Sequence, residues 1–350
     1  MDDLNQNPKL GSADRPNSYI GRSVPRERAR KLLEGKGKYV DDVLLPRMAH
    51  INYVRSPFAH ALIKSISMEN AKNYPGVYEV FTIKEIEKVC TPWQGVLGHL
   101  GEMNSPDQYP LAKDVVRWQG EPVVAVVAKS RAVAEDASDL IEIDYEEIDA
   151  QLDMETALNK DASVIHNDLG SNLFWTRTVN QGDVKKAFKS AFKVEEVTLD
   201  FARHTGVTLE SRSIIADWDT SEEKMTIYHN GQAPHMMQHL IAKHFNISEG
   251  LVRVVSCDVG GSFGIKVHVY PDEIATIAIS KIMKRPVKFV ADRLESYSTD
   301  IHSRCHKITG KIGVDENGKI TAFEIDDLSG IGPFSVYPRT SAIETNQVLN

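Results

Sequence analysis

The feature that most constrains the fold of this chain is a seven-residue apolar run, Pro122–Ala128, with the sequence PVVAVVA. Valine is β-branched and favours extended backbone, and an apolar run without polar alternation is typical of a buried strand. Ser130 is the predicted N-cap of a helix that reaches Leu140, and Ile141–Tyr145 returns to a strand pattern. These residues predict a β-α-β unit, and therefore a chain that combines helices with sheets.

Composition excludes several classes of protein. The chain has 350 residues, of which 41% are hydrophobic and 26% charged, and this is enough for two globular domains. A net charge of -8 without any long Lys/Arg block argues against nucleic-acid binding. No apolar segment approaches the roughly 18 residues of a membrane span, and the polar N-terminus does not resemble a signal peptide. We therefore predict a cytoplasmic protein without a membrane span.

The cysteines support this prediction. Cys90, Cys257 and Cys305 are odd in number, lie far apart and form no C-x-x-C pair. Neither a disulfide framework nor an iron–sulfur cluster held by this chain alone is expected, because such clusters usually need four thiolates.

Breaker residues and periodicity divide the chain into four predicted segments. Residues 1–19 are a polar tail, residues 20–150 an α/β unit, residues 151–182 a connection and residues 183–350 a second domain. The further predicted strands are His50–Val54, His60–Ile66, Val77–Ile83, Lys193–Phe201, Arg212–Trp218, Lys224–Tyr228, Leu251–Ser256, Pro286–Val290, Ile308–Val314 and Ile320–Ile325. The further predicted helices are Arg26–Leu33, a short helix capped by Ser67, Val184–Ala191, Pro234–Phe245 and Pro271–Lys284.

A glycine loop between a predicted strand and a predicted helix is the first candidate binding site. It spans Gly260–Gly264, with the sequence GGSFG, and Lys266 follows closely. Glycines let backbone N–H groups approach a bound group, and successive amides can form an anion-binding nest. The loop matches neither the Walker A sequence nor the G-x-G-x-x-G fingerprint, so a plain strand-to-helix turn stays open as an interpretation. The large apolar Phe263 between glycines favours a binding role.

Gln232 is the second candidate. It lies just before the N-terminus of a predicted helix, where amides point outward and a side-chain amide can donate to an oxo group or an anion. A plain helix entry is the simpler alternative. On the same helix, His235 and His239 have the spacing of a zinc site, but Met236 occupies the position where zinc proteases carry a glutamate. We interpret these histidines as surface or packing residues.

Four stretches of the sequence occur in a characteristic order. They are Gly35–Asp42 leading into Arg55–Ala61, Gly120–Ala128 running on to Ile143–Glu146, Gln232–His235 ahead of the glycine loop, and Tyr270–Glu273 at the start of the next helix. In this order they resemble the molybdopterin-binding subunit of the xanthine dehydrogenase, aldehyde oxidase and aerobic carbon monoxide dehydrogenase family. The resemblance implies an α+β fold, with an α/β hammerhead domain followed by a partial molybdenum-cofactor-binding domain.

The resemblance also implies site residues, cofactors and partners. Gln232 would hydrogen-bond the cofactor near the metal, and Gly261, Ser262, Phe263 and Gly264 would pack against it, with no direct protein ligand to the metal. The implied cofactor is molybdenum–molybdopterin in its cytosine dinucleotide form. The implied reaction hydroxylates an aldehyde, an N-heterocycle or carbon monoxide with oxygen from water. Electrons would pass to a 2Fe-2S small subunit and an FAD medium subunit in a heterotrimer.

Some positions depart from the family pattern. Ser262 replaces the usual third glycine, and Val267 stands where purine-oxidising members carry a glutamate, which disfavours xanthine as a substrate. Family members continue well beyond Asn350, so the C-terminal half is expected to supply the catalytic base, and the chain alone is expected to be inactive. Two alternatives stay open: a non-catalytic interaction module built on the hammerhead, and a phosphate-binding enzyme that uses Lys266.

Overall fold

The computed structural model describes residues 23, 24, 26, 29–95 and 103–336, so the polar tail predicted at residues 1–19 lies outside the described residues. The chain divides into two units, residues 1–38 and residues 39–350. The helices are α1 (Ala29–Leu33), α2 (Glu69–Lys72), α3 (Ile83–Ile86), α4 (Arg131–Ser138), α5 (Val184–Ser190), α6 (Pro234–Phe245), α7 (Pro271–Met283) and α8 (Arg293–Thr299). The strands are β1 (Ala49–Arg55), β2 (Ala61–Ser67), β3 (Val77–Phe81), β4 (Val115–Val116), β5 (Pro122–Ala128), β6 (Glu142–Glu147), β7 (Lys193–Phe201), β8 (Ser213–Asp219), β9 (Lys224–His229), β10 (Val252–Ser256), β11 (Val287–Val290), β12 (His306–Val314) and β13 (Ile320–Ser329).

Within the described part of the second unit the strands form three sheets. The largest has the order β10-β9-β8-β11-β1-β5-β3, and the others have the orders β13-β12-β7 and β4-β2-β6. The largest sheet contains β1, β3 and β5 from the first predicted domain and β8 to β11 from the second. It therefore continues across the boundary predicted near residue 150. The α+β fold class is confirmed, whereas the domain bounds stay a prediction.

The position of β5 in the largest sheet explains its unbroken apolar sequence. It lies between β1 and β3 and is buried along its whole length. Ala125 and Val127 belong to the larger core, together with residues of α7, whereas Val124 and Val126 belong to the smaller core. Since successive side chains of a strand point to opposite faces, a strand with a core on each face needs apolar residues at every position.

The strand, helix and second strand of the β-α-β prediction are all present, but the prediction that they form one unit is wrong. Helix α4 does begin after Ser130, whose hydroxyl accepts the Val133 N–H (3.4 Å), but β6 pairs with β2 in a different sheet from β5. The sequence of β6, EIDYEE, carries too many acidic residues for a sheet that is buried on both faces. The cap predicted at Ser67 is also wrong, because α2 begins one residue later, after Met68.

Sheet topology places both candidate segments at one end of the largest sheet. Strands β9 and β10 are parallel neighbours, with Val252 beside Met225 and Ser256 beside His229. Their carboxyl ends therefore meet at the same edge, and the two loops that follow them emerge side by side. None of the helices in the described ranges has both the length and the apolar character needed to cross a bilayer.

Candidate functional site

The loop after β10 has a strained backbone. Gly261 and Gly264 have φ angles of +100° and +94°, a region that glycine enters without a Cβ penalty. Phe263 also has a positive φ of +46°, which costs a bulky residue on the order of 1 kcal/mol. Its side chain is 77% exposed. A turn that only reverses the chain does not need an exposed aromatic residue in this conformation, so the geometry favours contact with a further group.

Four consecutive backbone N–H groups of this loop have no acceptor among the described residues. They belong to Gly261, Ser262, Phe263 and Gly264, whereas the next amide, of Ile265, donates to the Ser262 carbonyl (2.9 Å). Successive amides of this kind, on a backbone in which Gly261, Phe263 and Gly264 have positive φ, can form a nest for anions and oxo groups. A Cβ added at Gly264 would meet no atom of the described residues within 4 Å, so these residues leave the space beside it open.

The segment 206–210 packs along the loop. A Cβ on Gly206 would lie 2.9 Å from Phe263 Cβ, and a Cβ on Gly260 would lie 2.4 Å from Glu210 Cβ. Both distances are shorter than any ordinary contact between carbon atoms. Gly206 and Gly260 are therefore needed for close packing of the two segments.

Glu210 holds both flanks of the loop with one oxygen. Its Oε2 accepts hydrogen bonds from Gly260 N–H (2.7 Å) and from Lys266 Nζ (3.1 Å). Its backbone N–H also donates to the Gly260 carbonyl (3.2 Å). Burial lowers the pKa of Lys266, while the charge of Glu210 opposes this change. With a side chain only 1% exposed and paired to Glu210, Lys266 is not presented to a ligand, which removes the basis for the phosphate-binding alternative.

Gln232 lies beside the same loop. It follows β9 and precedes Pro234, the first residue of α6. Its backbone N–H donates to the carbonyl of Lys266 (2.9 Å), and its side chain is exposed. The structure therefore brings Gln232 together with the glycine loop, as expected for two walls of one site. His235 and His239 lie on the exposed surface of α6, where His239 Nδ1 contacts Glu249 Oε1 (2.6 Å).

A buried platform supports the loop from its C-terminal side. The Tyr270 hydroxyl donates to the carbonyl of Ile265 (2.8 Å), and the guanidinium of Arg212 stacks over the Tyr270 ring at 3.7 Å. Arg212 is fully buried and forms a bidentate pair with Asp272, at 2.8 Å and 3.0 Å. It also contacts Asp300 (2.6 Å). Planar bidentate pairing of this kind fixes orientation as well as charge, so Tyr270 and the loop end are held rigidly.

The platform joins distant parts of the sequence. Arg55 Nη2 contacts Asp272 Oδ2 (2.9 Å), and Arg55 Nη1 donates to the carbonyl of Gly120 (3.2 Å). Burial opposes the ionisation of Asp272, but the charges of Arg212 and Arg55 outweigh it and hold its pKa well below the usual range. Three of the four sequence stretches noted above thus meet at one buried ion network.

Sequence reasoning missed Glu210, Arg212 and Asp300. Glu210 and Arg212 precede β8, and their partners lie between 50 and 88 residues away along the chain. No local periodicity signals such partners. The only available hint was a charged residue, Arg212, shortly before the apolar run at residues 214–216 of β8.

These features define a class of site: consecutive backbone amides at the carboxyl ends of parallel strands, a geometry that suits an anionic or oxo-bearing group. Residues 165–349 match the sequence profile of the molybdopterin cofactor-binding domain. Residues 34–149 match that of the aldehyde oxidase and xanthine dehydrogenase a/b hammerhead domain. The chain belongs to this molybdopterin-binding family, with a hammerhead domain followed by a molybdenum-cofactor-binding domain.

Individual relatives agree with this assignment. The chain is 34% identical over 340 residues to the nicotine 6-hydroxylase large subunit of Paenarthrobacter nicotinovorans, covering 97% of this chain and 41% of the relative. It is 32% identical to the carbon monoxide dehydrogenase large chain of Hydrogenophaga pseudoflava, covering 89% of this chain and 40% of the relative. The crystal structure of quinoline 2-oxidoreductase from Pseudomonas putida 86 superposes with a TM-score of 0.87 at 31% identity, covering 92% of this chain and 41% of that chain. The chain thus spans about two fifths of the length of these relatives.

Proposed function

We propose that this chain is the front part of the large subunit of a molybdenum hydroxylase, and that its glycine loop with Gln232 binds a molybdenum–pterin cofactor. The observation that carries the proposal is the set of four loop amides without an acceptor among the described residues, next to open space at Gly264. Hydrogen-bond donors of this kind fit the oxygen-rich, anionic character of such a cofactor. When bound, a molybdenum–pterin group supplies a two-electron oxidation in which the added oxygen atom derives from water.

The residues of this chain would bind and orient the cofactor. The amides of Gly261, Ser262, Phe263 and Gly264 would donate hydrogen bonds to it, and the exposed Phe263 ring would cover it and exclude water. The exposed side-chain amide of Gln232 would donate a further hydrogen bond from the neighbouring loop. No described residue is proposed as the catalytic base, which we assign to the part of the relatives that this chain lacks.

An exposed apolar face of the sheet β13-β12-β7 is a candidate binding surface for the rest of the large subunit. Helix α5 packs on one face of this sheet, where Phe188 lies 3.2 Å from the position of a Cβ on Gly313. The opposite face is named here the open sheet face, and among the described helices only α5 packs closely on this sheet. By cross-strand register, its apolar members are Val197, Leu199, Phe201, Ile308, Ile312, Phe323 and Ile325. Four of them are at least 44% exposed, and such a patch marks an interaction surface.

We propose that the remaining three fifths of the large subunit covers the open sheet face. We further propose the domain bounds 20–150 and 183–350, the cytosine dinucleotide form of the cofactor, and partner subunits that carry a 2Fe-2S cluster and FAD. The relatives act on nicotine and carbon monoxide according to their names, and an N-heterocycle or another small carbon compound is proposed as the substrate here. The alternative of a non-catalytic hammerhead module is not favoured, because the cofactor-domain loop is intact.

The first test replaces Gly264 by alanine. The added Cβ would enter the open space beside the loop, and the positive φ would cost about 1 kcal/mol of stability. In a complex of this chain with a complementary C-terminal half, we expect Gly264→Ala to lower molybdenum and pterin content about tenfold, which corresponds to roughly 1.4 kcal/mol of binding free energy. Metal is measured by mass spectrometry, and pterin by the fluorescence of its oxidised form.

Gly318→Ala is the matched control. Gly318 also has a positive φ, +79°, and a Cβ there also meets no atom within 4 Å in the part of the chain that the structure describes, but it lies in the β12–β13 turn. The backbone cost is the same, so Gly318→Ala should leave cofactor content unchanged. A wild-type complex without molybdenum, or equal cofactor loss in both variants, would contradict the proposed function.

A second test addresses the open sheet face. Leu199→Lys places a charge on this face, and Thr198→Lys places the same charge on the opposite face of the same strand. We expect Leu199→Lys to weaken binding of the complementary half about tenfold in Kd, because the ammonium must be desolvated. Thr198→Lys should change the Kd less than about twofold. Equal effects of both variants, measured by interferometry with purified halves, would show that the partner binds elsewhere.

A further inference from the structure

Glu210 connects to the glycine loop more closely than packing alone requires. One oxygen, Oε2, accepts from Gly260 N–H at 2.7 Å and from Lys266 Nζ at 3.1 Å, so a single atom ties the two flanks of a seven-residue segment. The other oxygen, Oε1, is buried and has no partner among the described residues. Burial of an acceptor without a hydrogen-bond donor costs free energy of folding, and native proteins retain such groups where they serve a function.

The same carboxylate constrains the neighbouring loop through Lys266. The carbonyl of Lys266 accepts the backbone N–H of Gln232 at 2.9 Å. The Lys266 side chain is 1% exposed, and burial lowers its pKa. A buried ammonium ion needs a carboxylate partner. Loss of Glu210 would therefore release Gly260, Lys266 and, through the Lys266 carbonyl, Gln232.

We propose that Glu210 is a positioning residue of the cofactor site, and that it fixes the arrangement of the loop amides and of Gln232 by holding Gly260 and Lys266 with one carboxylate oxygen. The role of Glu210 towards a cofactor rests on the proposed function, but its restraint of Gly260 and Lys266 can be tested in this chain alone. Hydrogen exchange at two backbone amides that do not contact Glu210 reports on this restraint. The N–H of Ile265 donates to the Ser262 carbonyl, and the N–H of Gln232 donates to the Lys266 carbonyl.

The experiment compares two double variants with the wild-type chain. Glu210→Gln with Lys266→Met removes both charges together but keeps an acceptor for Gly260 N–H, whereas Glu210→Ala with Lys266→Met removes both ties. Removing Lys266 with its partner avoids an unpaired buried charge, so the fold should survive. Residue-resolved amide hydrogen exchange is measured at Ile265 and Gln232, and thermal unfolding is followed in parallel. If the alanine variant does not fold, the glutamine variant decides the question on its own.

We expect exchange at both reporter amides to rise in the order wild type, glutamine variant, alanine variant, with the last about tenfold above wild type. Amides in β5 should keep their wild-type protection. The control is Ser138→Ala, which removes a buried hydroxyl that accepts a hydrogen bond from Asn52 Nδ2 at 3.0 Å, between α4 and β1. It should lower the unfolding temperature without changing exchange at Ile265 or Gln232. Unchanged exchange at these amides in both double variants would overturn the proposal.

The cofactor content of the assembled complex separates the two proposals. If Glu210 positions the site, the alanine variant loses pterin about tenfold, while Ser138→Ala retains it even though it is less stable. Faster exchange in the variants together with a wild-type complex that never contains pterin would uphold the positioning role and reject the proposed function. Faster exchange with full pterin content in the alanine variant would reject Glu210 as a positioning residue for the cofactor.

Discussion

Replacing Arg212 by methionine is expected to lower the free energy of unfolding by about 3–5 kcal/mol, because the change leaves buried carboxylates without their cation. Arg212 is fully buried and contacts Asp272, Glu273 and Asp300 at distances from 2.6 to 3.3 Å. Methionine has a similar length and fills much of the same volume, so the loss is electrostatic and is not caused by a large cavity. Arg55 compensates Asp272 in part, but it makes no contact with Glu273 or Asp300 in the described residues.

The prediction is checked by urea unfolding of the wild-type and variant chains. Arg131→Met is the control, since Arg131 is 45% exposed and forms a surface pair with Glu135 at 2.6 Å. Surface pairs contribute about 0–1 kcal/mol, so this variant should remain close to wild type. Adding Asp300→Asn to Arg212→Met should recover part of the loss, because one uncompensated charge is removed. If Arg212→Met were as stable as Arg131→Met, the buried carboxylates would not depend on Arg212 for charge compensation, and the prediction would be wrong.

Local patterns predicted many secondary-structure elements accurately. The bounds predicted for β5, β7 and α6 agree with the structure to the residue, because strands with apolar or alternating residues and a proline at the first helical position are local signals. Helix α8 was not predicted, although Asp292 and Glu295 form a capping box that was visible in the sequence.

The support of the site depends on contacts that no local pattern encodes. Asp272 and Glu273 stand in the first turn of α7, where acidic side chains complement the helix dipole, and this would be a sufficient local explanation of the two residues. In the structure they are instead buried at 2% and 1% exposure and bind Arg212, sixty residues earlier in the chain. Lys266 was interpreted as a charge available to a ligand, but it is paired with Glu210. In both cases the charge was recognised from the sequence, and its partner was set by sheet topology.

A second large effect is expected in the pH dependence of stability, and it arises from Glu121 in the Gly120-Glu121-Pro122 motif. Glu121 is 7% exposed, and burial raises its pKa from 4.5 to about 7. The backbone N–H of Arg117, which donates a hydrogen bond to Glu121 Oε2 at 2.6 Å, opposes this increase only in part. In the unfolded chain the group ionises near 4.5, whereas in the folded chain it stays protonated up to about 7. The stability that it contributes is therefore fully present below pH 4.5 and is lost as the pH rises through 7, with a total of about 3 kcal/mol.

Glu121→Gln keeps the shape of the side chain but cannot ionise. We expect the variant to become more stable than wild type as the pH rises from 4.5 to 7, with a constant difference of about 3 kcal/mol above that range. Glu135→Gln, at a pair that is about half exposed, should change the profile by less than about 1 kcal/mol. Urea unfolding at several pH values measures all three profiles. Parallel profiles for wild type and Glu121→Gln would mean that Glu121 ionises in the folded chain as it does in the unfolded chain.

Asp272 and Glu121 contribute to the pH dependence of stability with opposite signs. The pKa of Asp272 is held below its usual value of 3.8, so its contribution is present above pH 3.8 and is lost as the pH falls further. Glu121 has the opposite sign, because its contribution is lost on the alkaline side. Removing the ionisation of Glu121 should therefore remove a loss of stability on the alkaline side, whereas Arg212→Met should reduce the loss of stability on the acidic side.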